Sequence, residues 1–400
     1  MAWIERNDYL NFLLSHKDKN IIKVVSGIRR CGKSTLFDIY IDYLLKHGVE
    51  KIQIININLE DLFYQGRDYK ELYFYIKNKL VPGKRNYIFL DEVQNCADFE
   101  KMVDSLLIQP NTDIYLTGSN AYFRSSELAT LLSGRYVELK RLPLSFREYV
   151  SAFDGNQSLL SLYNQYITLS SFPYALQYHG DVKVIKDYLQ GLYSTILLKD
   201  VIQRYHISDV RVLESVISFV FDNIGNRLNP YKISNTLSSN GRKVNEKTIE
   251  KYLQALRDSL LIYQVKRYNV KGRGRLKSQE KYYVADLGLR NLFCGIKGQD
   301  EGHILENVIY LELLRRGYQV RIGQNETNEI DFVAKNSEDT YFIQVSLTMK
   351  DETTYQREIK PLKTLRNNYP KRILTRDESP VKDDNGIKII YALDWLRDKK

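Results

Sequence analysis

The spacing of hydrophobic residues changes along the chain and divides it into four predicted regions. In residues 1–150, short apolar runs near residues 21, 51–57, 87, 114 and 136–139 alternate with amphipathic stretches of helical spacing. This alternation predicts an α/β domain of three layers, in which helices cover both faces of a parallel sheet. A ligand of such a fold binds outside the carboxyl ends of the strands.

The second region, residues 151–209, has a helical pattern throughout. Leu189, Leu192, Tyr193 and Ile196 recur at the spacing of one helix face, which is typical of a helix that packs on a core. We therefore predict that this region is a helical linker.

The third region, residues 210–295, has the element order of a winged helix. Helices are predicted at residues 212–221, 230–237 and 245–260, and the third carries an apolar stripe of Ile249, Leu253, Leu256 and Leu260. A strand at 261–270 and a returning strand at 281–285 then flank a basic, glycine-containing turn. Three helices followed by a hairpin indicate a winged helix, which suggests contact with DNA.

The fourth region, residues 296–400, predicts a second α/β domain. A helix at residues 304–316 precedes strands near 319–322, 330–334 and 341–347, a helix at 352–365, and strands near 372 and 389. Carboxylates lie at Glu306 on the first helix and at Glu329 and Asp331 around the central hairpin.

The segment GIRRCGKST at residues 27–35 matches the phosphate-binding loop pattern G-x-x-x-x-G-K-[ST] and lies between a predicted strand and a predicted helix. Its glycines allow backbone N–H groups to point at an anion, and the helix dipole adds positive charge. Lys33 would contact the β- and γ-phosphates, and Ser34 would hold Mg²⁺ through its hydroxyl. The predicted nucleotide-binding residues are Gly27, Arg30, Cys31, Gly32, Lys33, Ser34 and Thr35.

Two further strand ends supply candidate catalytic groups. At the end of the run at residues 86–90, Asp91 would hold Mg²⁺ through water and Glu92 would polarise the attacking water. Asn120, or its neighbour Ser119, follows the next strand and would position that water. The alternative for each of these residues is an ordinary loop position.

Composition narrows the classes of partner and compartment. The 400 residues suit two or three domains, and a formal net charge of +10 favours polyanionic partners. Three scattered cysteines suggest a reducing compartment. Because no apolar run approaches membrane-spanning length, we expect a cytoplasmic protein that does not bind membranes.

Basic residues are dense around the predicted wing. The candidate nucleic-acid-binding residues are Lys247 and Lys251 on the third helix and Lys271, Arg273, Arg275 and Lys277 in the turn. Lys266, Arg267 and Lys281 extend the basic stretch, whereas Glu246 and Glu250 offset the two helix lysines. Such a density of lysine and arginine would bind phosphates with little sequence preference. The alternatives are a solvated hairpin tip and a surface that docks an acidic face of the protein itself.

Three separated segments resemble one protein family. They are GIRRCGKST at residues 27–35, SGR at 133–135 leading to LPLSFREY at 142–149, and EKYYVADLGLR at 280–290, and together they are similar to bacterial and archaeal AAA ATPases with a DUF4143 C-terminal region. The resemblance implies that the nucleotide is ATP. It also implies that Arg135 reaches a γ-phosphate, either in its own chain or in a neighbouring subunit of a homo-oligomer. A helix-end arginine paired with a carboxylate is the alternative.

In this family the C-terminal region is similar to the restriction-endonuclease-like fold, whose metal site uses a helix glutamate, a strand aspartate and an E/Q-x-K strand. Glu306, Asp331 and Gln344 match this set, but Ser346 stands where the lysine belongs and Lys350 lies four residues further on. A neutral hydroxyl cannot supply the positive charge that stabilises a developing phosphate charge. The resemblance therefore implies a degenerate nuclease fold.

These observations favour an ATP-hydrolysing molecular switch that binds DNA through the winged helix. The first alternative is a nucleotide-gated module that binds an acidic protein partner and no DNA. The second is a metal-dependent nuclease regulated by ATP.

Overall fold

The computed structural model describes residues 4–118, 132, 134–153, 155–239, 241–242, 244–269, 280–295, 298–325, 328–365, 367–380 and 383–398. Contacts divide the chain into two compact units, Met1–Pro143 with Asp258–Leu260, and Leu144–Arg257 with Leu261–Lys400. The finer division after residues 150, 209 and 295 stays a prediction. Within the ranges above, no helix has both the length and the apolar character that crossing a bilayer requires.

The first unit alternates helices with strands, as the hydrophobic pattern predicts. Its elements are α1 (Asn7–Ser15), β1 (Ile22–Gly27), α2 (Lys33–Lys46), β2 (Ile54–Asn58), α3 (Tyr69–Lys77), β3 (Asn86–Asp91), α4 (Phe99–Leu107), β4 (Thr112–Gly118) and β5 (Tyr136–Arg141). Short 3-10 turns precede β2 and follow β3.

All neighbouring strands of the first unit pair in parallel, in the order β2-β3-β4-β1-β5. β1, β3 and β4 are buried along their whole length, because helices cover both faces of the sheet. Ile88 and Leu116 pack towards α3 and α4, whereas Phe89 and Tyr115 pack towards α1 and α2. The predicted three-layer α/β domain with a parallel sheet is therefore confirmed, and the carboxyl ends of β1, β3 and β4 lie at one edge.

The second unit begins with helices. They are α5 (Phe146–Val150), α6 (Leu159–Thr168), α7 (Val182–Thr195), which continues as a π-helix (Ile196–Gln203), α8 (Val210–Asp222), α9 (Pro230–Ser239) and α10 (Glu246–Asp258). The predicted core faces are buried, including Leu189 and Leu192 on α7 and Ile249 and Leu253 on α10. Asp181 caps α7 by accepting hydrogen bonds from two backbone N–H groups of its first turn.

The remainder of the second unit contains the strands of two sheets and further helices. Its elements are β6 (Arg227–Leu228), β7 (Ile262–Val265), β8 (Arg267–Asn269), β9 (Glu280–Val284), α11 (Leu287–Cys294), α12 (Glu301–Arg315), β10 (Gln319–Asn325), β11 (Asn328–Lys335), β12 (Thr340–Ser346), α13 (Glu352–Lys363), β13 (Lys371–Thr375), β14 (Asp383–Asp384), β15 (Ile387–Tyr391) and α14 (Ala392–Arg397). One sheet has the order β14-β15-β13-β12-β11-β10-β8, and the other has the order β6-β9-β7.

The sequence predicts one strand at residues 261–270, but the structure has two strands there, β7 and β8. β7 pairs with β9 in the small sheet, whereas β8 pairs with β10 in the large one. The change occurs at Lys266, whose carbonyl accepts a hydrogen bond from the backbone N–H of Ile322 at 3.1 Å. The basic turn at residues 271–277 lies outside the described residues, and the winged-helix and restriction-endonuclease-like assignments stay predictions.

Candidate functional site

The candidate phosphate loop joins β1 to α2, and its two glycines are required by its shape. A Cβ atom at Gly27 would lie 2.4 Å from the carbonyl oxygen of Arg141 and 2.7 Å from Sγ of Cys31, so a larger residue does not fit. Gly32 precedes α2 with a φ of +96°, a left-handed conformation that glycine adopts without strain. The loop can therefore keep its backbone tightly turned ahead of the helix.

Lys33, in the first turn of α2, points back into this loop and is 5% exposed. Its Nζ donates to the carbonyl oxygen of Gly27 at 3.2 Å and lies 3.5 Å from Oε1 of Glu92. Burial alone would lower the pKa of Lys33, but the negative charge of Glu92 and further groups raises it above its usual value. The side chain is therefore a positive charge held beside the loop.

Asp91 ends β3 and is hydrogen-bonded by two hydroxyl groups. Thr117 in β4 donates to Oδ1 of Asp91, and Ser34 hydrogen-bonds the same carboxylate. Burial raises the pKa of Asp91, and these hydrogen bonds oppose the rise. The predicted magnesium-binding pair, Ser34 and Asp91, is thus in direct contact.

Glu92 follows Asp91 in a left-handed conformation, with a φ of +55°. Its backbone N–H donates to Oγ1 of Thr117 at 2.9 Å, and its carboxylate accepts a hydrogen bond from Nε2 of Gln94. Burial would raise the pKa of Glu92, but the charge of Lys33 and the hydrogen bond from Gln94 bring it below its usual value. Glu92 is therefore an ionised carboxylate that can accept a proton.

Thr117 contacts both acidic residues and is not among the residues predicted from the sequence. The predicted polar residue after the end of β4 is Ser119 or Asn120, and both lie outside the described residues. The signal available in the sequence is a hydroxyl that directly follows the apolar run at residues 114–116, one residue before the end of β4.

Two buried arginines, also missed, support the loop from outside. Nη1 of Arg6 and Nε of Arg141 each donate to the carbonyl oxygen of Cys31 at 3.2 Å. The ring of Tyr9 lies 4.6 Å from the guanidinium carbon of Arg6 and 5.2 Å from that of Arg141. Arg6 precedes α1 and Arg141 ends β5, so no local motif marks the pair.

Arg135 lies at the opposite edge of the sheet from the phosphate loop. It directly precedes β5, and its carbonyl accepts from the backbone N–H of Ile22, at the start of β1. β1 and β5 run parallel, so Gly27 lies at the other end of the paired strands. A strand of six residues spans about 20 Å, which puts Arg135 out of reach of a phosphate held by the loop of its own chain.

The candidate nucleic-acid-binding residues are described only in part. Lys247 and Lys251 are exposed on α10. Lys271, Arg273, Arg275 and Lys277 lie outside the described residues. Lys281, which the sequence grouped with this basic stretch, is instead 4% exposed. For Lys281 the expectation of phosphate contact is therefore wrong.

The predicted degenerate nuclease residues gather around Lys281 within the second unit. Nζ of Lys281 lies 2.6 Å from Oε1 of Glu306 and 3.5 Å from Oδ1 of Asp331. Gln344 accepts from the backbone N–H of Asp331 at 3.3 Å and donates to Glu358 at 2.9 Å. Thus all three predicted residues are neighbours, but a lysine that the prediction did not include lies among them.

Two family models match separate parts of the chain. The AAA domain model AAA_14 matches residues 19–150, and DUF8612, a domain of unknown function, matches residues 160–300. The resemblance to a DUF4143 region is therefore wrong, whereas the resemblance to AAA ATPases is confirmed.

Relatives extend over most of the chain. An uncharacterized protein of Haemophilus influenzae is 39% identical and is matched over 99% of each chain. The uncharacterized protein MJ1544 of Methanocaldococcus jannaschii is 30% identical over 85% of this chain and 78% of its own. Among solved structures, a Walker-type ATPase of Pyrococcus abyssi shares the fold with a TM-score of 0.51 and 16% identity, over 73% of this chain and 96% of that one. This chain therefore belongs to the same family as the two uncharacterized proteins, and its first domain belongs to the AAA_14 family of P-loop ATPases.

Proposed function

We propose that this protein binds ATP with Mg²⁺ at the carboxyl ends of β1, β3 and β4 and hydrolyses the bond to the γ-phosphate. The observation that carries the proposal is a single contact network of Lys33, Ser34, Asp91, Glu92 and Thr117. These groups come from three parts of the chain, the start of α2, the end of β3 and β4, and together they supply what phosphoryl transfer to water needs.

Binding begins with the loop and Lys33. The distance of 3.5 Å between Nζ of Lys33 and Glu92 is long for a charge-assisted hydrogen bond, which is usually about 2.7–2.9 Å. Phosphate oxygens are therefore a better partner for this ammonium group than its present carboxylate. Ser34 and Asp91 offer oxygen ligands of the kind that Mg²⁺ prefers, and a bound Mg²⁺ would neutralise phosphate charge.

Hydrolysis requires a base beside the attacking water. When Lys33 binds phosphate, the carboxylate of Glu92 would be released to accept a proton from water. The oxygen of this water attacks the γ-phosphorus while the bond from phosphorus to the β–γ bridging oxygen breaks, so that ADP leaves. Thr117 holds this base in place, because it accepts from the backbone N–H of Glu92 while it donates to Asp91. Arg135 would act from a neighbouring copy in a homo-oligomer, since its own phosphate loop lies at the other edge of the sheet.

Hydrolysis and nucleotide binding by Lys33→Ala test this proposal. We expect the variant to lose at least about 100-fold in hydrolysis, because the positive charge at the phosphates is removed. Lys46→Ala is the matched control, since Lys46 lies at the other end of α2, is 69% exposed and pairs with Asp42. Equal hydrolysis by wild type and Lys33→Ala would contradict the proposal.

We propose further that the ATP-dependent partner is DNA, contacted by Lys247 and Lys251. Both lysines are exposed and four residues apart, so they share one face of α10. Binding to a random DNA duplex is expected to weaken steeply between about 50 and 200 mM salt, because the logarithm of the binding constant falls roughly linearly with the logarithm of the salt concentration. No binding, or binding that is indifferent to salt, would favour an acidic protein partner instead.

A further inference from the structure

A buried lysine of the second unit lies among three carboxylates. Nζ of Lys281 in β9 is 2.6 Å from Oε1 of Glu306, 3.0 Å from Oε1 of Glu329 and 3.5 Å from Oδ1 of Asp331. Glu306 belongs to α12, and Glu329 and Asp331 belong to β11. We call these four residues the Lys281 cluster.

Other groups bind the carboxylates of the cluster from the remaining directions. They are the hydroxyl of Tyr283 and Nδ1 of His303 at Glu306, the guanidinium of Arg227 at Glu329, and the backbone N–H of Val345 at Asp331. Buried carboxylates need such partners, because an unpaired buried charge is costly. The cluster is therefore complete without any added ion.

The ammonium of Lys281 stays protonated in this setting. Burial would lower the pKa of Lys281, but the charges of Glu306, Asp331 and Glu329 raise it well above its usual value. A permanent positive charge thus stands where the carboxylates of α12 and β11 converge.

A resident divalent metal does not fit these residues. Glu306, Asp331 and Gln344 are the ligands that a restriction-endonuclease-like site would use, but Lys281 already contacts the first two. Gln344 has both amide atoms engaged, with the backbone N–H of Asp331 and with Glu358. A divalent cation at the same oxygens would lie within a few ångströms of the ammonium, where two positive charges repel strongly in a buried setting.

We propose that Lys281 is the built-in cation of this cluster, taking the place of a divalent metal, so that this part of the chain binds no catalytic metal and does not cleave nucleic acid. The ammonium neutralises the carboxylates and ties β9 to α12 and β11. The replacement of the expected lysine by Ser346 then has little further effect on nuclease activity, because the ammonium of Lys281 already occupies the metal position. This proposal is independent of ATP hydrolysis in the first unit.

Mn²⁺ binding to the full chain, counted by electron paramagnetic resonance without nucleotide, tests the proposal. Lys281→Met leaves the three carboxylates without their ammonium, and we expect it to bind one Mn²⁺ per chain more than wild type. Adding Glu306→Gln to Lys281→Met should abolish the gain. Lys335→Met, an exposed lysine of β11, is the matched control and should behave as wild type. A folded Lys281→Met that gains no Mn²⁺ would overturn the proposal.

If Lys281→Met fails to fold, a second comparison still tests the proposal. Wild type and Glu306→Gln are titrated with Mn²⁺, and both are expected to bind the same number of ions, because the cluster of wild type holds none. If wild type bound one Mn²⁺ more than Glu306→Gln, or cut DNA in a way that Glu306→Gln did not, the cluster would be a metal site and the proposal would fail.

Discussion

Lys33 in the first unit and Lys281 in the second unit are buried lysines that face carboxylates, and they differ in how tightly they are held. Lys33 has a backbone carbonyl at 3.2 Å and Glu92 at 3.5 Å. Lys281 has three carboxylates within 3.5 Å, the nearest at 2.6 Å. Burial opposes the charge of both lysines, and in both the surrounding anions outweigh it.

This difference in contacts means that the ammonium of Lys33 can exchange its carboxylate for another anion, whereas the ammonium of Lys281 cannot. A lysine with one long ionic contact loses little when it moves to a phosphate group, whereas Lys281 would leave three carboxylates, two of them buried, without their ammonium partner. In the proposed function, a buried lysine beside a carboxylate would bind a ligand in the first unit, whereas in the second unit it contributes to stability.

The largest expected effect tests whether the first site is catalytic. In Glu92→Gln the side chain keeps its shape but cannot accept a proton, so ATP hydrolysis should fall by about 10²–10⁴-fold. ATP binding should persist, because Lys33, Ser34 and Asp91 are unchanged. Single-turnover hydrolysis and equilibrium binding of labelled ATP measure the two quantities.

Glu71→Gln, at an exposed position of α3, is the control and should keep wild-type hydrolysis. If Glu92→Gln hydrolysed ATP at the wild-type rate, Glu92 would not be the base. The proposed catalytic role of the site around Lys33, on which its contrast with Lys281 depends, would then be wrong.

The next largest effect contrasts the two lysines in stability. Lys281→Met leaves the buried carboxylates of Glu306 and Asp331 without their ammonium partner and should lower the free energy of unfolding of the second unit by about 3–5 kcal/mol. Lys33→Met removes one hydrogen bond and one long ionic contact and should change the stability of the first unit by about 1 kcal/mol or less. Urea denaturation measures both changes, and hydrogen exchange of β9 and α2 assigns each transition to its unit. Equal losses would show that the two lysines are held alike.

The phosphate loop and the acidic pair were predictable because each is a contiguous string of residues. Gly27, Gly32 and Lys33 lie within seven positions, and Asp91 and Glu92 directly end an apolar run, so local pattern and strand order place them at one edge of the sheet. The parallel core followed from the same alternation of strands and helices.

The remaining contacts depend on residues far apart in the chain. Thr117 reaches Asp91 across 26 positions, and Arg141 reaches Cys31 across 110. The basic neighbours of Lys281 in the sequence predict that it belongs to the wing. The carboxylates that contact it in the structure, Glu306 and Asp331, lie 25 and 50 positions away in the chain. Charge can be read from a sequence, but the partner of a charge depends on tertiary packing.

A smaller effect tests the hydrogen bonds that Thr117 makes with Asp91 and Glu92. Thr117→Val keeps the shape of the side chain but removes the donor to Asp91 and the acceptor for the backbone N–H of Glu92. The loss of one or two hydrogen bonds should slow hydrolysis by about tenfold, which corresponds to about 1.4 kcal/mol. Thr117→Ser keeps the hydroxyl and should retain most of the rate. Equal rates for the valine and serine variants would exclude a role for this hydroxyl.

The most gradual expected effect is the pH dependence of stability in the second unit, at Asp331. Burial and the carboxylate of Glu306 raise the pKa of Asp331 from 3.8 to about 7, against the opposing charge of Lys281 and the hydrogen bond from the backbone of Val345. Glu358 adds to the rise. The folded chain then holds this proton more tightly than the unfolded chain, so the contribution of Asp331 is complete below about pH 4 and is lost as pH rises through 7.

Glu306 acts in the opposite direction, but over a lower range. Its pKa is lowered from 4.5 to about 2, because Lys281, His303 and Tyr283 outweigh the effect of burial, so its contribution is complete above about pH 4.5. Between pH 5 and 7 the free energy of unfolding should therefore fall through Asp331, by at most about 1.4 kcal/mol per pH unit for one proton. Asp331→Asn cannot titrate and should lack this decline in urea denaturation. The same slope in both proteins would mean that Asp331 is already ionised at pH 5, as the nearby ammonium of Lys281 favours.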